Sequence, residues 1–115
     1  YPYTGGLRFD VDANQAKGSR VSNIEARNAT SGNWEPLDLA RTYKLFTLSF
    51  VAGGGDGYAT LASVPADRRL DVGVLDADVL QAYLEKQARD PISNLPLLTK
   101  VDASLYSTKS YIAPK

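Results

Sequence analysis

The chain contains no histidine, no cysteine and no methionine, and only one tryptophan. Without His and Cys there is no ordinary zinc site, no thiol nucleophile and no imidazole general base, so any chemistry falls to carboxylates, hydroxyls, lysines and tyrosines. Zero cysteine fits a reducing compartment as well as an exported protein without disulfides, so it assigns no location. Net charge is lacking too: 13 basic and 13 acidic side chains cancel and are interspersed, which leaves no electrostatic footprint for nucleic acid or an anionic membrane. No apolar run approaches membrane-spanning length, so membrane insertion is not expected. A start at Tyr1-Pro2-Tyr3 without Met predicts a processed piece of a longer product, with any signal peptide upstream.

At 115 residues, with 43% apolar and 23% charged residues, the composition is that of one globular domain at most. Leu7, Phe9 and Val11 alternate with Arg8, Asp10 and Asp12, the period of a strand with one buried face, and Gly5-Gly6 starts it. Turn residues including Lys17-Gly18-Ser19 lead to a second strand over 21–27, so the two are expected to form a hairpin. A polar loop over 28–33 follows, and then a short extended piece from Trp34 turned by Pro36. Asn28-Ala29-Thr30 matches a glycosylation acceptor, which matters only in a eukaryotic secretory host.

Tyr43-Lys44-Leu45-Phe46-Thr47-Leu48-Ser49-Phe50 reads as the strongest strand, apolar on both faces near its end and therefore central. From Asp76, a candidate N-cap, the period changes: Val79, Leu80, Tyr83, Leu84 and Ala88 share one helical face. This predicts a helix over about 77–88 that covers one face of the sheet and stops before Pro91. The tail over 92–115 carries enough leucine, valine and tyrosine to pack on the sheet. The fold class expected is α+β, a mixed sheet with packed helices.

The densest signal is Phe50-Val51-Ala52-Gly53-Gly54-Gly55-Asp56-Gly57-Tyr58, four glycines around one carboxylate with a ring on either side. Glycine lets a ligand approach the main chain, so the loop suits a small polar molecule with a flat ring. Simpler readings stand beside this one: a tight turn without ligand, Phe50 as a core ring, Asp56 as a cap for Tyr58, and Tyr58 packed beneath the loop. Asp10, Asp12, Asp76 and Asp78 are explained by strand alternation and helix capping rather than by metal. Arg68-Arg69 reads as solvated, or as a contact to phosphate or a partner domain. Trp34 is a core or interface ring, or a sugar-stacking surface.

Taken in order, Gly5-Gly6-Leu7-Arg8-Phe9-Asp10-Val11-Asp12, Gly18-Ser19-Arg20-Val21, Pro36-Leu37-Asp38, Thr42-Tyr43-Lys44, Phe50-Val51-Ala52 and Gly54-Gly55-Asp56-Gly57-Tyr58 resemble the C-terminal domain of the 5'-nucleotidases, the family that includes UDP-sugar hydrolases and NAD nucleotidases. The resemblance implies a partial C-terminal domain over 1–115, its N-terminal part with the phosphate-contacting arginines lying outside the chain. It also implies that this domain binds the base and ribose of a nucleotide, while an N-terminal metallophosphoesterase domain holds two divalent metal ions and hydrolyses the ester. Phe50 would stack on one face of the base and Tyr1 on the other, Asp56 would accept from the ribose hydroxyls, and Gly54 and Gly55 would line the pocket. No catalytic residue, metal ligand or cofactor is expected in the chain itself. Export to the periplasm or cell surface is implied in the same way. Tyr106-Ser107-Thr108-Lys109-Ser110-Tyr111-Ile112 stands where the family has a short Gly-Arg-Ile-like strand, which leaves substrate preference open. A stand-alone nucleoside- or sugar-binding module that lost its hydrolase partner, and a purely structural interaction domain, are the readings from other classes.

Overall fold

The computed structural model describes residues 3–115; Tyr1 and Pro2 lie outside the described residues. Two compact units emerge, one gathering the chain up to Thr42 together with Thr99–Lys115, the other formed by Tyr43–Leu98.

The first unit is a four-stranded sheet in the order β3-β2-β1-β4, built from β1 (Leu7–Asp12), β2 (Val21–Arg27), β3 (Trp34–Pro36) and β4 (Thr108–Ile112). β1 pairs antiparallel with β2 and parallel with β4, and β2 pairs antiparallel with β3, so the sheet is mixed, as expected. The alternation in β1 works as the sequence predicts: Phe9 and Val11 are buried, and Ser107 joins them. The Phe9 amide donates to the Ser107 carbonyl at 2.9 Å, which anchors the approach to β4 beside the buried ring.

Both neighbours of β1 carry an extra residue opposite Phe9. On β2, Asn23 and Ile24 span the step that Phe9 alone makes on β1, and Asn23 takes a positive φ of 49°. On β4, Lys109 is the additional residue between the partners of Phe9 and Asp10. Such bulges bend a strand and re-aim its side chains. Here the bulged Lys109 Nζ donates to the Asn23 carbonyl at 2.6 Å and lies 3.1 Å from Glu25 Oε2, so it reaches across β1 from one bulge to the other.

The side of β1 opposite Phe9 carries a polar row. Arg8 Nε donates to Glu25 Oε2 at 2.6 Å, and the Arg8 guanidinium lies 4.5 Å from the centre of the Trp34 ring. Each of the four strands thus contributes one member: Trp34, Glu25, Arg8 and Lys109. Asp10 accepts from Asn23 Nδ2 at 2.7 Å and from Ser110 Oγ at 2.9 Å, which repeats the cross-strand clamp one step along. Trp34 also donates from Nε1 to the Ser104 carbonyl at 3.1 Å, so the lone tryptophan joins the sheet to the segment before β4. In the loop before β3, Asn28 Oδ1 accepts from the Thr30 and Ser31 amides while its Nδ2 donates to Glu35, which commits its side chain to the turn.

The second unit contains three short helices, α1 (Ser49–Ala52), α2 (Ala59–Ala62) and α3 (Asp76–Glu85), together with two single 3-10 turns at Gly55–Gly57 and Ala66–Arg68. Here the structure departs from the sequence reading. Residues 43–48 form no strand, and Ser49 to Ala52 are helical. A strand must satisfy its amides and carbonyls on a neighbour, and no ladder among the described residues passes through this segment. Local bonds take over, with the Ala52 amide donating to Leu48 O and the Gly53 amide to Ser49 O, both at 2.9 Å.

α3 ends three residues before the expected Ala88, because the Lys86 and Gln87 amides turn back to Tyr83 and Leu84 and tighten the last turn. Arg89 then bridges Pro96 in an antiparallel contact. Asp76 is the first helical residue rather than the N-cap, a place taken by Leu75. The apolar face of α3 is present but not covered, with Val79, Leu80 and Tyr83 all more than half exposed. None of the residues over 43–98 is buried, so the buried residues among those described, Phe9, Val11 and Ser107, all belong to the sheet unit. Of the tail, the part over 108–112 joins the sheet, whereas Ile92 is almost fully exposed.

Glu25 sits between two cations, and Arg8 first, then Lys109, hold its carboxyl below the usual glutamate range. Asp10 is lowered mainly by its bond from Asn23, with Ser110 next. A depressed folded-state pKa contributes stability above the ordinary carboxylate range and loses it as pH falls through the lowered value. Thermal unfolding followed by circular dichroism should therefore hold level from neutral pH down to about 5 and fall below about 4. Glu25→Gln should lower the melting temperature at neutral pH and make the acid limb shallower; an unchanged limb would mean that this carboxylate does not couple folding to pH.

Candidate functional site

The glycine-rich segment folds as helix, turn, helix. α1 carries Phe50, the 3-10 turn Gly55–Gly57 carries Asp56, and α2 begins after Tyr58. Gly54 adopts φ 95°, a left-handed conformation that reverses the chain after α1, and a Cβ there would stand 3.0 Å from Ala62 Cβ of α2. This tight reversal is why one turn of helix can be followed so soon by another.

Gly55 has a different role. The Phe50 ring lies directly on it, so a Cβ at Gly55 would overlap the ring atoms. The ring packs one face against bare backbone and stays 61% exposed overall. An aromatic ring supported from beneath and open above is a platform on which a second flat ring can stack. The simpler reading of Phe50 as a core ring does not hold, since it is not buried.

Asp56 follows immediately, exposed and at φ 53°, ψ 26°, a left-handed conformation that aspartate tolerates better than most residues. Its carboxylate does not cap Tyr58, whose amide donates to the Gly55 carbonyl at 3.2 Å. Tyr58 is itself half-buried and supplies the carbonyl that receives the Leu61 amide at the start of α2, in keeping with a structural part. The structure therefore brings Phe50, Gly54, Gly55 and Asp56 into one turn. Tyr1, the expected second stacking ring, lies outside the described residues.

Other candidates from the sequence separate from this turn. Asp10 is tied to Asn23 and Ser110, and Asp12 to Asn14 and Gln15, so both serve the sheet and its first turn. Asp76 accepts from the Ala77 amide at 2.9 Å, and Asp78 lies in the first turn of α3, where negative charge suits the helix end. No group of three or more His, Cys, Asp or Glu side chains placed to hold a metal ion occurs among the described residues. Trp34 is engaged by Arg8 and Ser104 in the sheet unit.

Arg69 is the residue whose place the sequence did not reveal. Its Nη2 donates to the carbonyl of Ala52, the last residue of α1. A contact across 17 positions leaves no periodic trace in a single sequence, and a pair of arginines in a polar stretch looks solvated.

With this geometry established, comparison with known proteins places the chain. A family profile for "5'-nucleotidase, C-terminal domain" matches residues 1–63, which include the whole Phe50-to-Tyr58 turn. The chain is 39% identical over 113 residues to Protein UshA of Escherichia coli, covering 98% of this chain and 16% of that protein. It is 31% identical over 90 residues to an NAD 5'-nucleotidase of Haemophilus influenzae, covering 75% of this chain and 15% of the relative. Among solved structures it resembles a 5'-nucleotidase precursor from Thermus thermophilus with TM-score 0.73 and 28% identity, over 95% of this chain and 19% of that one. The fold and the ordered motifs together define a C-terminal domain of the 5'-nucleotidase type. The chain belongs to the 5'-nucleotidase family. It spans about 15% of the length of the curated relatives it matches.

The contact of Phe50 with Gly55 is directly testable. Gly55→Ala forces the ring off its seat and should destabilise the chain by about 1–3 kcal/mol, the usual cost of overpacking. Since the clash is with the Phe50 side chain, the penalty should largely disappear in a Phe50→Ala background. Denaturant titration of the four members of this double-mutant cycle measures the coupling, and strictly additive costs would show that the ring does not rest there.

Proposed function

We propose that this chain is the nucleoside-binding portion of a metal-dependent 5'-nucleotidase-type phosphohydrolase. The observation that carries the reading is the turn in which the Phe50 ring, seated on Gly55, stands beside the exposed Asp56 within the family-matched segment. A flat base stacks on the open face of Phe50, a contact worth roughly 1–3 kcal/mol and tolerant of base identity. An ionised carboxylate only accepts hydrogen bonds, and the two adjacent ribose hydroxyls are donors, so Asp56 suits the sugar. The bare backbone at Gly54 and Gly55 lets the ligand approach closely.

On this reading the chain's own residues bind and orient the nucleoside and leave the ester bond to another domain. Two divalent ions in an N-terminal metallophosphoesterase domain would supply Lewis-acid activation of the phosphate and of the attacking water. The contribution of this chain to catalysis is then delivery and orientation of substrate. The enzyme would act on nucleotides outside the cytoplasm, in the periplasm or at the cell surface, as the family resemblance implies.

Isothermal calorimetry with adenosine and AMP on the intact protein tests the site. Phe50→Ala should weaken adenosine binding roughly 5- to 100-fold, the equivalent of one base stack. Asp56→Ala should weaken it roughly 10- to 100-fold, the range for hydrogen bonds to a charged acceptor. Unchanged affinity in both variants would overturn the assignment. The isolated 115-residue chain should release no phosphate from AMP with Mg²⁺, Mn²⁺ or Zn²⁺ present, and metal-dependent hydrolysis by the pure chain would contradict the division of labour.

A further inference from the structure

α1 is a single turn of four residues with no side-chain cap at its N-terminus. A helix this short does not persist by itself, because nucleation fixes several residues for each hydrogen bond gained. Its last carbonyls point away from the helix with no intrahelical donor. Some are met locally, as the Gly53 and Gly54 amides return to Ser49 and Val51. The carbonyl of Ala52 receives the Arg69 guanidinium instead. A cation at this end also complements the negative pole of the helix.

Arg69 is itself held in place. Its amide donates to the Ala66 carbonyl at 3.1 Å, which makes it the residue that closes the 3-10 turn Ala66–Arg68, and its backbone then leaves in an extended conformation. That turn starts immediately after Pro65, whose fixed φ limits how far the segment can swing. The guanidinium thus projects from a restrained point onto the end of the helix that carries Phe50.

We infer that Arg69 is the positioning residue of the stacking platform: by holding the Ala52 carbonyl it keeps α1 formed and the Phe50 ring seated on Gly55. Its link to ligand affinity rests on the proposed role of Phe50, whereas its link to the ring does not. This role separates Arg69 from a phosphate contact, the part a free guanidinium near a nucleotide site would suggest.

Two readouts test it. In proton NMR of the chain, the seated Phe50 ring should shift the Gly55 α-protons upfield by its ring current. Phe50→Ala should abolish that shift and Arg69→Ala should diminish it, while Arg69→Lys, which keeps one donor for the carbonyl, should retain most of it. A Gly55 shift unaffected by Arg69→Ala overturns the inference, whether or not adenosine binds. In calorimetry on the intact protein, Arg69→Ala should weaken adenosine and AMP to the same extent, roughly two- to tenfold for one lost hydrogen bond, with Arg69→Lys restoring much of it. Loss confined to AMP would make Arg69 a phosphate contact and overturn the positioning role. If Phe50→Ala leaves adenosine affinity unchanged, the proposed function fails, and the Gly55 shift still decides what Arg69 does.

Discussion

The architecture depends on the parallel pairing of β1 with β4, two segments from opposite ends of the described chain. Phe9 finds its backbone partner at Ser107 and Ala13 finds its own at Ile112, both at 2.9 Å. The lock continues past the strands, where Asn14 Nδ2 donates to the Ala113 carbonyl and the Lys115 amide donates to Asn14 Oδ1. Without this pairing β1 would be an edge strand, and Phe9 and Val11, the buried apolar pair, would lose one flank. Every residue over 43–98 belongs to an excursion that leaves this sheet unit after Thr42 and returns to it at Thr99.

Around that pairing, polar side chains tie the four strands to one another. Glu25 is shared by Arg8 from β1 and Lys109 from β4, and Arg8 also covers the Trp34 ring of β3. Pairs near water contribute little one at a time. Their value here is geometric: the two bulges at Asn23 and Lys109 are held against each other, so a slip of either strand would separate the amine from its carbonyl. The turn that carries Phe50 and Asp56 follows the same logic on a smaller scale. A ring on a glycine, a left-handed Gly54 against Ala62 and a guanidinium on a carbonyl hold it in place of burial.

What was legible in the sequence was whatever has a short period or a fixed order. The alternation Leu7, Phe9, Val11 gave β1 and its buried face, the turn at Gly18 gave the hairpin, and the ordered motifs gave the family. The strand expected over 43–50 failed because β-propensity describes a residue's fit to a sheet surface, and none of the described residues pairs with it as a sheet neighbour. The end of α3 was overrun because Ala88 continues the apolar face although Lys86 and Gln87 have already closed the turn. Phe50 and Asp56 were visible as a pair through their spacing. The support beneath them was not, since the seat on Gly55 requires the turn geometry and the Arg69 contact requires the path of the intervening chain.

The parallel closure also orders events in time. A ribosome releases the strands β1, β2 and β3 first, and their antiparallel contacts are short in sequence and fast to form. β4 is separated from β1 by the hairpin partners and the whole excursion over 43–98, so its pairing waits until that length has been made and must then close a long loop. Until then one edge of β1 offers free amides and carbonyls, with Phe9 and Val11 beside them, to any other strand that passes. The last of the four strands to be made is therefore the one that covers β1, and a nascent chain halted before Thr108 would leave the strand that carries Phe9 and Val11 at the edge of the sheet.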